Sequence, residues 1–315
     1  MTMPQPACLY RDVDVSHYDL GYPQLCNLPN GALLASTWRG HCLEVHPDSG
    51  QVTVQPQIAP STLVLQSPTA TATQPILCSA ATRIVWTELW QLGASQTSRL
   101  ETGGAVQSVA FSPQGDLLAI GLGMYPLDPN NHQQAAIELF STANPSGPLV
   151  RRVLPGVAVD RVVFHPTREL LVAVTGARSQ DRGHVLVLDR HTLDLLDVAE
   201  TDAAFCRAAM IDVDSDELLL AYRHGIQVRS LDKLWNVEWQ WRTPDELFSA
   251  VHDPERNWIV LSNGQVVEPG FREVTRLPAL DKCSGLAILH DGRVAGLSQT
   301  GTLRVWEVGL GCVPS

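Results

Sequence analysis

The sequence repeats itself, and the repeat decides what the chain can fold into. FSPQGDLL at positions 111–118 matches FHPTRELL at 164–171. Weaker copies are IDVDSDELL at 211–219, VHDPERNWI at 251–259, LHDGRV at 289–294 and LPNGALL at 28–34. In each, a short apolar run is broken by Pro, Gly, Asn or Asp and then resumes, the pattern of a strand, a tight turn and a second strand. A third run follows each hairpin: 43–46, 84–86, 137–140, 185–188, 226–229 and 303–306. Helical periodicity is nearly absent, so the chain reads as all-β.

The turn positions 31, 115, 168, 216, 256 and 292 are separated by 84, 53, 48, 40 and 36 residues. The first gap holds one degenerate unit around Thr73-Gln74-Pro75, which makes seven units. A period near 40–45 residues with four strands per unit is the signature of a β-propeller, in which no unit buries both its faces alone. The blades are expected at about 17–60, 61–102, 103–155, 156–200, 201–243, 244–278 and 279–310, within one domain spanning 1–315.

The last unit, GTLRVWE at 301–307, resembles the terminal Trp-Asp strand of the WD40-repeat family, with Glu307 in place of Asp. Trp86-Thr87 departs further, and most units lack a Gly-His dipeptide before their first strand. The resemblance spans nearly the whole chain. It implies a seven-bladed WD40-like β-propeller whose last blade is closed by the N-terminal strand, here Ala7–Val13, because the last unit ends one strand short. Such closure removes exposed sheet edges.

Charge and cysteine usage narrow the function classes. With 33 acidic and 22 basic residues the net charge is −11, which argues against a broad nucleic-acid surface. No apolar run reaches the ~18 residues of a membrane span, and the first residues lack a basic, apolar leader. The seven cysteines include no C-x-x-C pair, which favours reduced core thiols in a cytoplasmic protein over zinc or disulfides.

Chemistry-bearing motifs reduce to turns and strands. His165, His252 and His290 fall at the position of Ser112, in separate hairpins, and His46 takes the slot of Trp86 and Trp306. His41 and His46, five apart along a strand, face opposite ways. The run from Asp212 to Glu217 alternates acids like a calcium loop but carries Glu217 where Gly is required and Arg223 where Glu is required. Ser298 is out of register for a nucleophile elbow, and Gly121-Leu122-Gly123 lacks the third glycine of a dinucleotide fingerprint. No catalytic residue, cofactor site or metal site is expected.

Partner binding has better candidates. The loops at 123–134 and 176–183, between strands two and three of adjacent units, are long, and the first carries Met124, Tyr125 and Leu127. In WD40 propellers such loops open on the top face. Equivalent turns hold Trp38, Arg39, Arg83, Arg178, Arg182 and Arg223, a set suited to an acidic segment of a partner protein. The acids Glu101, Asp160, Glu200, Asp202, Asp245, Glu246 and Asp281 sit in the blade connections and compete for those arginines. A second candidate is the alternating stretch Trp235, Val237, Trp239 and Trp241, expected on one face of an outer strand, either packing between blades or forming an aromatic edge for a partner.

The expectation is therefore a non-catalytic scaffold binding partner proteins through Trp38, Arg39, Tyr125, Leu127, Arg178, Arg182 and Arg223, with Trp235, Trp239 and Trp241 as a secondary edge. Two alternatives stand beside it. One is a lactonase- or hydrolase-type propeller enzyme with a metal or carboxylates in the channel, against which the apolar first strands at 109–111, 162–164, 208–210 and 286–289 argue. The other is a constitutive subunit of a larger assembly.

Overall fold

A computed structural model gives the architecture. It describes residues 7–18, 20, 23–36, 42–55, 63–66, 76–80, 86–91, 97–123, 135–154, 158–176, 183–201, 205–269, 272–278 and 283–308. These form 28 strands, and no helix among the described residues is long and apolar enough to cross a membrane.

In chain order the strands are β1 (Ala7–Asp14), β2 (Leu25–Asn27), β3 (Leu33–Ser36), β4 (Cys42–Val45) and β5 (Val52–Gln55). Then come β6 (Leu63–Gln66), β7 (Ile76–Ala80), β8 (Trp86–Gln91), β9 (Thr97–Glu101), β10 (Ala105–Phe111), β11 (Leu117–Gly123), β12 (Ala136–Ser141) and β13 (Val150–Val153). The middle of the chain adds β14 (Val159–Phe164), β15 (Leu170–Thr175), β16 (Gly183–Asp189), β17 (Leu195–Thr201), β18 (Cys206–Asp212), β19 (Glu217–Tyr222), β20 (Gly225–Ser230) and β21 (Val237–Arg242). The last are β22 (Ala250–Asp253), β23 (Trp258–Leu261), β24 (Gln265–Glu268), β25 (Arg272–Arg276), β26 (Cys283–Ile288), β27 (Val294–Ser298) and β28 (Thr302–Val308).

They pair as four-stranded sheets: β2–β5, β6–β9, β10–β13, β14–β17, β18–β21, β22–β25, and one ordered β1-β28-β27-β26. This all-β arrangement of repeated four-stranded sheets is that of a β-propeller. Contacts divide the chain into two compact units, Met1–Val64 with Thr243–Ser315, and Leu65–Arg242.

Within the second unit the sheets bury each other. One cluster packs Leu117, Ala119, Ile137 and Leu139 against Val162, Phe164, Leu171 and Leu186. The next packs Val172, Val174, Val185 and Val187 against Leu218, Leu220 and Tyr222. Sheet β14–β17 thus has both faces covered, which is why β15 reads as a nearly unbroken apolar run rather than an alternating one. Outer strands β13, β17 and β21 are mostly exposed. In the first unit, Trp306 is buried with Trp258, Leu286 and Val308, and its indole Nε1 donates to Pro278 O at 3.0 Å.

The repeated turns bend in the left-handed region. Gly31, Gly115 and Gly292 have φ of +80°, +71° and +79°, while Asp216 and Asn257 adopt +55° and +54° in equivalent hairpins. Short polar residues tolerate that conformation better than most. The 164–171 hairpin uses another device. His165, 1% exposed, accepts at Nδ1 from the N–H groups of Thr167 (3.2 Å) and Arg168 (3.0 Å). Its proton therefore sits on Nε2, which donates to Asp216 Oδ1 at 2.8 Å on the next sheet. Arg168 pairs with the same carboxylate. The acids of 212–216 accordingly form a turn tied to its neighbour.

Four details of the repeat differ from the sequence reading. Asp253, not His252, corresponds to Ser112 and His165, because its Oδ1 accepts from the N–H groups of Glu255 and Arg256 in the same way. Leu289, not His290, takes that place in the last hairpin, where its N–H bonds Arg293 O. Val45, opposite Leu33, fills the slot that Trp306 fills opposite Val294, so His46 lies one residue beyond it. The third strand of the second unit runs Trp86–Gln91 rather than 84–86.

Two outcomes follow from this packing. His165→Ala strands two turn N–H groups and part of the Asp216 carboxylate, and should lower the unfolding free energy by about 1–3 kcal/mol in a denaturant titration. Burial pushes the thiols of Cys42 and Cys206 up to about 12 and raises that of Cys283. All three should stay unmodified by iodoacetamide at pH 8 in native protein and become labelled in guanidinium, read by peptide mass spectrometry.

Candidate functional site

The first strands of the sheets carry a feature that apolar patterning hides. In β10, β14 and β18 the ladder skips one residue: the partners step from Val106 to Ser108, from Val159 to Arg161 and from Cys206 to Ala208. The bulged residues are Gln107, Asp160 and Arg207, each four positions before the apolar residue that ends its first run (Phe111, Phe164, Ile211). A bulge leaves its residue outside the ladder and re-aims the side chain. β10 packs on β14 and β14 on β18, so the three lie on successive strands of one unit. In the other unit Ser284 is bulged in its own sheet in the same way.

Polar bonds fix this end of the strands. Ser108 Oγ donates to Val159 O at 2.9 Å, and Arg161 Nε donates to Arg207 O at 2.8 Å. Asp160 Oδ2 accepts the Cys206 N–H at 3.0 Å. Asp160 is thus tied to the backbone of the next sheet. The apolar residues that follow mask the bulged positions in the sequence, where Asp160 reads only as an acid of a blade connection. The fixed offset of four was the signal.

The two long loops leave the sheets beside these residues. A Cβ placed on Gly176 would lie 2.7 Å from Asp160 Oδ2, and one on Gly123 would lie 2.8 Å from Gln107 Cγ. The loop residues Tyr125, Leu127, Arg178 and Arg182, and also Trp38 and Arg39, lie outside the described residues.

Arg223 is described, in the tight turn between β19 and β20. It lines a cleft of about 750 Å³ between sheets β14–β17 and β18–β21. Glu200 and Thr201 from β17 form one side. Phe205, residues 222–227 with Arg229 of β19, β20 and their turn, and Trp235, Val237, Gln240 and Arg242 form the rest. Tyr222 is buried and its OH accepts from Thr201 Oγ1 at 3.3 Å. Burial holds its phenol well above the ordinary value, so it stays neutral. Arg229, 4% exposed, donates from Nη1 to Leu234 O at 2.6 Å and from Nη2 to Gln227 Oε1 at 3.2 Å. Its Nε has no acceptor, and no carboxylate among the described residues pairs with it.

The tryptophans do not share a face. Val228 pairs with Trp239 but Arg229 pairs with Val237, so Glu238 is an extra residue. That bulge turns Val237 to the face of Gln227, Arg229 and Gln240, lining the cleft, while Trp239 and Trp241 go to the opposite face. There they stack with ring centroids 6.4 Å apart. Trp235 sits in the preceding turn, 73% exposed, at the cleft. Strict alternation fails at one inserted residue.

Among the described residues no group of three or more His, Cys, Asp or Glu side chains is placed to hold a metal ion. Gly176→Ala should drive a methyl against Asp160 and lower stability by about 1–3 kcal/mol. In a double-mutant cycle with Asp160→Ala, calorimetry should find the two losses less than additive, since the second removes the group the first strikes. No protein-family model and no curated protein matches the sequence.

Proposed function

We propose that the protein is a non-catalytic scaffold that binds partner proteins on the face where the strand-two to strand-three connections emerge. Part of this reading is a set of seven WD40-like blades, the last closed by β1. The repeat of the sequence, the succession of four-stranded sheets and the pairing of β1 with β28 support it. The observation that carries the functional reading is the placement of the bulged Gln107 and Asp160 beside the stems of the two long loops, with Arg207 bulged on the next first strand. A buried framework holds these groups in place, so a partner binds with little ordering of the scaffold.

The polar character of the same positions also favours a second reading, a ligand or reaction site at the inner strands. Asp160 speaks for the scaffold, because its carboxylate already accepts a backbone N–H and serves the join between sheets. A constitutive subunit is favoured by the exposed apolar residues Leu149, Val153, Leu196 and Val198 on the outer strands β13 and β17 and the loop before β13. That reading requires the chain alone to be insoluble or aggregated, whereas an adaptor purifies as a monomer.

A tagged pull-down from the native host, analysed by mass spectrometry, tests the proposal beside a variant with Tyr125, Leu127, Arg178 and Arg182 changed to Ala. A stoichiometric partner lost in the variant is the expected result. A partner retained at full strength removes the site from this face, and a folded monomer with no partner overturns the scaffold.

A further inference from the structure

We propose that the cleft between sheets β14–β17 and β18–β21 is a docking site for an acidic peptide segment of a partner, with an aromatic side chain of that segment against Trp235 and Phe205 and its carboxylates facing Arg223, Arg229 and Arg242. The inference rests on the scaffold reading and names the chemistry of its partner.

Charge is the first ground. The chain carries a net charge of −11, yet among the described residues the cleft presents three arginines and one acid, Glu200. Arg229 is buried at its floor, held by a carbonyl and an amide oxygen, both neutral. Burying a cation without a counter-charge is costly unless another group offsets it. A carboxylate entering the cleft supplies that counter-charge, whereas a basic segment would add to the repulsion.

Exposed aromatic surface is the second ground. Trp235 is 73% and Phe205 42% exposed, and both line the same cleft. Phe205 is held at φ +58°, and the Arg207 guanidinium lies 5.9 Å from its ring centroid. Trp and Arg together are the residue types that dominate binding at protein interfaces. The β20–β21 bulge is what opens the site, since it turns Val237 in among the polar groups and sends Trp239 away. Gln227 and Gln240, opposite one another across the two strands, offer amide partners for a peptide backbone. The volume of about 750 Å³ admits a few residues rather than a folded domain.

The test uses the full-length protein and a fluorescein-labelled hexapeptide of alternating aspartate and phenylalanine, capped at both ends, read by anisotropy. The expected Kd is on the order of 10–100 µM at low salt. Asparagine in place of aspartate should weaken binding at least about tenfold, as should Trp235→Ala or the double change Arg223→Ala and Arg242→Ala. All these positions are exposed, so circular dichroism should report an unchanged fold. No binding, equal binding of the asparagine peptide, or full displacement by 10 mM inorganic phosphate would overturn the inference, the last by making this a small-anion site. If the peptide fails while the pull-down still yields a partner, the cleft assignment falls and the scaffold stands. A peptide that binds to a protein with no partner reverses that outcome.

Discussion

Sheets β10–β13, β14–β17 and β18–β21 depend on one another for the burial of their faces. A four-stranded sheet with Leu117, Ala119 and Ile137 on one face and Leu118, Ile120 and Phe140 on the other is insoluble alone. Stacked, the same residues become two cores, at roughly 25 cal/mol for each Å² of apolar surface removed from water. The polar devices of the molecule lie at the ends of the strands, where stacking leaves room. At the hairpin end His165, Arg168 and Asp216 tie one sheet to the next. At the opposite end Ser108, Asp160 and Arg161 do so.

That division bears on where the proposed partner site lies. Hairpin turns are short and committed to their own hydrogen bonds, as the Ser112, His165 and Asp253 caps illustrate. The connections at the other end vary in length, and bulges beneath them in β10, β14, β18 and β26 lift one polar residue each out of the ladder. Rigid strands with variable loops are the usual arrangement for recognition without catalysis or with it, so the choice between those rests on the chemistry of the groups rather than on the fold.

Much of the fold was legible in the sequence because a two-sided buried strand and a tight turn each leave a local mark. FSPQGDLL and FHPTRELL locate two hairpins, and Gly31, Gly115, Asp216 and Gly292 all take the left-handed conformation at the turns read from the repeat. What failed were offsets of a single residue. Histidine in HDPERN and HDGR suggested equivalence with His165, but the capping atom is supplied by Asp253 in one hairpin, and Leu289 holds the position in the other. One extra residue, Glu238, scattered a tryptophan row that alternation places on one face. The candidate site was legible only in part, because a bulge is a property of pairing and neither strand announces it alone. Arg223 and Trp235, singled out for different reasons, meet in one cleft through tertiary packing that no local pattern encodes.

Hydrogen–deuterium exchange of the full chain, free and bound to its captured partner, tests the central claim most directly. The account predicts new protection at the strand ends and loops around 105–108, 123–135, 158–161, 176–183 and 205–208 and at the cleft segments 222–229 and 235–242, with the remaining framework strands unchanged. Protection concentrated instead at the hairpin turns around 115, 168, 216 and 257, with none at the bulged ends, would contradict it.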